Sequence, residues 1–127
     1  MPRVLTDDQV SHFKREGFVV VPDFFSSDEL EALRAEIVRM HDEGQMRNVA
    51  TLEDRKTRNN DAQNLQLIPL DTRSDLFRAL PFAPKVIESV RSLLGDPVVK
   101  ILDQLFMKPA HTGLPTNWHT DNAYFRI

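Results

Sequence analysis

The sequence predicts an α+β fold in which helices come first and strands follow. Three observations carry that prediction: two capping-box patterns open helices in the first third, a third amphipathic stripe lies further on, and the longest strand-like run comes only after it.

Thr6 with Gln9 three residues on makes the first capping box, Val10 and Phe13 follow at helical spacing, and Gly17 supplies a left-handed stop. Residues 18–21, Phe-Val-Val-Val, are cut off by Pro22 and predict a short strand near a sheet edge. Ser26 with Glu29 repeats the capping pattern, and Leu30, Leu33, Ile37 and Met40 recur at helical steps up to Gly44. Residues 45–64 are polar and charged without periodicity, and so long a loop in a compact domain is usually functional or mobile. Residues 63–70 suggest an extended stretch and residues 74–80 one or two helical turns. After Pro84 come Val86, Ile87, Val90, Leu93 and Leu94, a third substantial helix stopped by Gly95. Pro97 then opens "VVKILDQLFMK", residues 98–108, long enough for a full strand. Residues 109–117, with Gly113 and Pro115, turn the chain into a strand that carries His119. There is no internal repeat and no low-complexity tract.

Composition narrows the function. The 127 residues, 41% hydrophobic and 28% charged, suit about one soluble domain. The net charge of -3 comes from interspersed acids and bases, so no basic stripe awaits nucleic acid. No apolar run approaches the roughly 20 residues that span a bilayer, and the opening leads into an acidic helix start unlike a signal peptide. The expectation is a cytoplasmic protein without membrane partners; its oligomeric state is not readable. The absence of cysteine excludes disulfides, thiolate zinc sites, iron–sulfur clusters and a Cys nucleophile. Any metal must be held by nitrogen and oxygen, which suits Fe(II), Mn or Zn.

The chemistry concentrates in His119-Thr120-Asp121. On a strand, alternation points His119 and Asp121 to one face and Thr120 to the other, so one metal ion can be gripped by imidazole and carboxylate together. Completed by a second histidine, this is the facial triad of non-haem Fe(II) oxygenases. Composition alone yields about 0.4 His-x-Asp matches in such a chain, so the tripeptide does not decide the matter. The alternative is an ordinary strand histidine, with Asp121 opening a turn at Asn122.

The ordered set "FKREGFVVVPDFFSSDELEALRAEI", "SVRSLLGDPV", "DQLFMKP" and "WHTDNAYF" resembles the phytanoyl-CoA dioxygenase family of Fe(II)- and 2-oxoglutarate-dependent oxygenases, over nearly the whole chain. The resemblance implies N-terminal helices packed on a double-stranded β-helix of jelly-roll or cupin type. Residues 1–127 would be the N-terminal part of one dioxygenase domain, with a helical region at 6–95 and the start of the β-helix core at 98–127. It implies Fe(II), 2-oxoglutarate and O2, with ascorbate as activator, and a small-molecule substrate. His119 and Asp121 would be metal ligands, and Gln104, Gln66 and Thr120 cosubstrate contacts. Some members place a lysine near Gln66, where this chain offers only a neutral hydrogen bond. Aspartate at 121, in place of the small apolar residue of related halogenases, favours hydroxylation.

The family's second histidine ligand and its 2-oxoglutarate arginine lie well beyond the His-x-Asp motif, so truncation is expected, with weak Fe(II) binding and no turnover by these residues alone. Trp118 and Tyr124 are expected to pack, and His12, His41 and His111 to be ordinary, with His111 the one in-chain substitute ligand. Two other readings stay open: a non-catalytic interaction or assembly protein that uses residues 45–64 to bind a partner, and a redox-neutral cupin isomerase or epimerase.

Overall fold

The computed structural model describes residues 4–121 and has the α+β class that the sequence predicts. In chain order the elements are α1 (Asp7–Glu16), α2 (Ser27–Asp42), β1 (Arg47–Asn48), β2 (Leu65–Leu67), α3 (Asp75–Ala79) with a 3-10 turn (Leu80–Phe82), α4 (Pro84–Leu94) and β3 (Leu105–Met107). They divide into two compact units, Met1–Gln45 with Leu67–Leu105 and Met46–Gln66 with Phe106–Ile127.

In the first unit the helices begin and end for local reasons. Thr6 Oγ1 accepts from the Gln9 amide at 3.2 Å while Gln9 Oε1 accepts from the Thr6 amide at 2.9 Å. Ser26 and Glu29 close the same box on α2 at 3.2 and 2.7 Å. Gly17 ends α1 at φ +82, a left-handed conformation that a Cβ disfavours. Pro84 opens α4 and Gly95 closes it. α1 lies against α4 and α2 against α3, around buried Leu5, Met40, Leu67 and Leu70.

Long-range polar ties complete this unit. Lys85 Nζ donates to the Phe24 carbonyl at 2.9 Å and to Glu29 at 2.5 Å, and stands 4.5 Å from the Phe25 ring centroid. The Lys85 hydrogen bond lowers the Glu29 pKa. Lys100 bridges Asp71 at 2.8 Å and Asp103 at 2.7 Å, and both carboxylates raise its pKa. Asp103 Oδ1 accepts from the Leu70 amide at 2.8 Å. Burial pushes the Asp103 carboxyl up, but Lys100 and the backbone amides outweigh it, and the pKa falls below the ordinary value.

The second unit is built around the sheet, in the order β1-β2-β3. β1 runs antiparallel to β2, with Arg47 opposite Gln66 and Asn48 opposite Leu65. The intervening loop is folded back on itself: Thr51 bridges Arg58, the Leu52 amide donates to the Thr57 carbonyl at 2.8 Å, and the Asp54 carboxylate caps the amides of Lys56 and Thr57. Those bonds, with the Thr57 hydroxyl first, lower the Asp54 pKa.

Four expectations need correction. Residues 18–21 form no strand; Phe18 and Val20 are exposed, Pro22 follows without an N–H, and no neighbouring strand among the described residues takes up their backbone groups. The run 98–108 is strand only at Leu105–Met107. Ahead of it, Lys100 and Asp103 tie the backbone to residues 70–71 through side chains, and Val99 and Ile101 face solvent. Residues 45–64, expected as one long loop, instead hold β1 and a bridged loop. Residues 117–121 are irregular, with no strand partner among the described residues, so the alternation argument for His119 and Asp121 does not apply.

Candidate functional site

His119 and Asp121 nonetheless face each other. His119 Nδ1 lies 2.7 Å from the Asn117 carbonyl oxygen, and His119 Nε2 lies 3.5 Å from Asp121 Oδ1. A carbonyl oxygen only accepts, so that bond requires the proton on Nδ1 and, in the neutral ring, puts the lone pair on Nε2. The lone pair and the carboxylate are then within 3.5 Å of each other. Metal–ligand bonds of about 2 Å span at most about 4 Å between two donors, so one cation can touch both. A ring whose second nitrogen donates to a backbone carbonyl is also the usual arrangement of a metal-bound histidine. The nitrogen and oxygen donors therefore fit one divalent cation between them, Fe(II) among those that accept such a pair. Among the described residues, no group of three or more His, Cys, Asp or Glu side chains is placed to hold a metal.

The other predicted site residues fall as follows. Gln66, half-buried between buried Leu65 and Leu67 on β2, accepts through Oε1 from Arg47 Nε at 3.2 Å and Nη2 at 2.6 Å. The Arg47 guanidinium on the facing strand thus stands beside Gln66. Gln104 is exposed and immediately precedes β3, in the first unit. Thr120 is exposed. Trp118 is fully exposed, which corrects the expectation that it packs; Tyr124 lies outside the described residues. His111 sits at φ +68 in an exposed turn.

The sequence reading missed the polar framework that holds residues 48–64 and reaches Leu114. Asn48 uses both ends of its amide: Nδ2 donates to the carbonyls of Asn59 (3.3 Å) and Ala62 (2.8 Å), and Oδ1 accepts from the amides of Ala50 and Asn64, each at 3.0 Å. Asn59 Oδ1 accepts from the amides of Asp61 and Ala62 in an Asx turn. Asn64, 7% exposed, accepts through Oδ1 from the Leu114 amide at 2.9 Å, five residues before His119. The available signal was the run of asparagines at 59, 60 and 64, whose side chains pair readily with backbone.

An open polar cleft in the first unit, lined by Glu36, Arg39, Arg73, Ser74 and Asp75 among others, contains none of the predicted site residues. Of its two arginines, Arg39 is engaged by Glu36, Glu43 and the Arg73 carbonyl.

A model of the phytanoyl-CoA dioxygenase (PhyH) family matches residues 13–127. The chain belongs to that family. The PhyH match takes in His119 and Asp121, Gln66 and Gln104, and the asparagine framework. Among curated PhyH-like relatives, the chain is 29% identical to an ectoine dioxygenase of Bordetella bronchiseptica over 119 residues, 92% of this chain and 37% of that protein. An ectoine dioxygenase of Halomonas elongata is 29% identical over 119 residues, 92% of this chain and 34% of that protein. One of Stutzerimonas stutzeri is 27% identical over 120 residues, 93% of this chain and 38% of that protein. The chain spans about a third of the length of these relatives. No solved structure gives a significant match.

Proposed function

We propose that the protein is an Fe(II)- and 2-oxoglutarate-dependent oxygenase that hydroxylates a small molecule, with His119 and Asp121 as two of three iron ligands. The observation that carries this reading is the 3.5 Å approach of His119 Nε2 to Asp121 Oδ1 with Nδ1 tied to Asn117. Family membership supports the cofactor set. In this reading, residues 1–127 are the N-terminal part of one dioxygenase domain, with helices (6–95) that back a double-stranded β-helix whose core begins in residues 98–127. Gln104, Gln66 and Thr120 contact the cosubstrate by neutral hydrogen bonds.

Bound iron with 2-oxoglutarate and O2 supplies the oxidation that decarboxylates the cosubstrate to succinate and places a hydroxyl on the substrate. His119 contributes a neutral nitrogen ligand held in one orientation by Asn117, and Asp121 a carboxylate that offsets part of the ion's charge. The relatives' name makes ectoine the first substrate to assay.

The test is Fe(II)-dependent succinate formation by the complete protein, with ascorbate present and with and without ectoine. His119→Ala or Asp121→Ala is expected to lower it by at least about 100-fold. Wild-type turnover in either variant would remove that residue from the metal site.

A further inference from the structure

The backbone ahead of the motif is held on both sides by the second unit. The Gln63 amide donates to the Thr112 carbonyl at 2.9 Å, and the Leu114 amide donates to Asn64 Oδ1 at 2.9 Å. Between these two bonds the chain turns tightly. The Gly113 amide reaches the Pro109 carbonyl at 2.9 Å, and a Cβ on Gly113 would meet Lys108 Cβ at 2.8 Å and the Pro109 oxygen at 3.0 Å. Asn64 is itself fixed, because its amide donates to Asn48 Oδ1 and its carbonyl accepts from the Val49 amide at 2.8 Å. A continuous relay therefore runs from Asn48 through Asn64 to Leu114, and Pro115 restricts the backbone of Leu114, the clamped residue.

We propose that Asn64 is a positioning residue for the iron ligands: through Leu114 it anchors the segment that carries His119 and Asp121. The proposal rests on the iron-site reading above. A backbone amide inside a turn has few other acceptors, and Asn64 offers a neutral oxygen whose own position is set by Asn48. The clamp stands five positions before His119. The expected effect is thus on how often both ligands stand ready together, as for outer contacts of metal sites, whose removal weakens metal binding about 10- to 100-fold.

The experiment titrates the full chain with Fe(II) anaerobically by calorimetry. Asn64→Ala, which deprives the Leu114 amide of its acceptor, is expected to weaken Fe(II) binding about 10-fold. Asn64→Asp, which keeps an oxygen for that amide, is expected to retain affinity within about 3-fold. In a His119→Ala background, Asn64→Ala is expected to cost nothing further, because its action passes through the ligand it positions. Wild-type affinity in Asn64→Ala, or an undiminished loss in the His119→Ala background, would overturn the proposal. Wild-type affinity in His119→Ala alone would instead sink the iron-site reading. If Asn64→Ala does not fold, Gly113→Ala displaces the same turn from its other side without touching either asparagine. It must show the same weakening, again absent beside His119→Ala, for the proposal to stand.

Discussion

The start of α2 and the loop between β1 and β2 face the same problem, backbone groups with no ladder to join, and meet it differently. At Ser26 the partners are three residues apart, and the helix start is complete without the rest of the chain. Asn48 gathers groups 2, 11, 14 and 16 residues away, and Asn64 adds one 50 residues away. A short-range cap forms early and fails alone. A framework that converges on one amide forms only when all its segments are present, and losing its centre releases them together.

Replacing the centre should therefore be the most disruptive change. Asn48→Leu keeps the volume but leaves the amides of Ala50 and Asn64 and the carbonyl of Ala62 without that side chain, and should destabilise by about 3 kcal/mol. Urea unfolding measures it, and hydrogen exchange at Ala50 and Asn64 should show the loss locally. A cost below about 1 kcal/mol would mean that the loop closes without its hub.

Ser26→Ala, by contrast, should cost about 1 kcal/mol in the same assay, the usual value of a helix cap. Equal costs for the two substitutions would erase the distinction between local and convergent closure.

The smallest effect at neutral pH belongs to charges in the first unit. The hydrogen bond from Arg39, with the Ser74 hydroxyl second, holds Glu36 down at about 2. Glu36 and Asp103 are both lowered, so their stabilisation is present above the unfolded carboxyl value of about 4 and is lost as pH falls toward the folded one. Stability measured from pH 5 down to 2 should therefore decline, and Glu36→Gln should flatten part of that decline. An unchanged slope would assign the acid sensitivity to other carboxylates, and added salt should shrink the Glu36 share because Arg39 is partly exposed.

The same contrast explains what could be read in advance. Thr6, Gln9, Ser26, Glu29, Gly17 and Gly95 act within a turn of their own positions, so spacing alone located three helices and their ends. Strands depend on partners that spacing does not reveal: residues 18–21 and 98–104 have strand-like composition but no strand neighbour among the described residues, and stay irregular. His119 and Asp121 lie 3.5 Å apart in an irregular stretch, so the alternation that predicted a shared face is not what brings them together. Arg47 beside Gln66, Asn48 at the centre of its loop, and Asn64 beside Leu114 were hidden because the partners that matter are 11 to 50 residues away.

Trp118 is the only tryptophan in the chain, is fully exposed, and is bonded directly to His119. All indole fluorescence therefore comes from one solvated emitter beside the proposed ligand. A paramagnetic ion captured at His119 would quench it, so loss of emission on adding Fe(II), absent in His119→Ala, would report capture there. The protein thus carries its own optical gauge of occupancy, needing neither a label nor a known substrate.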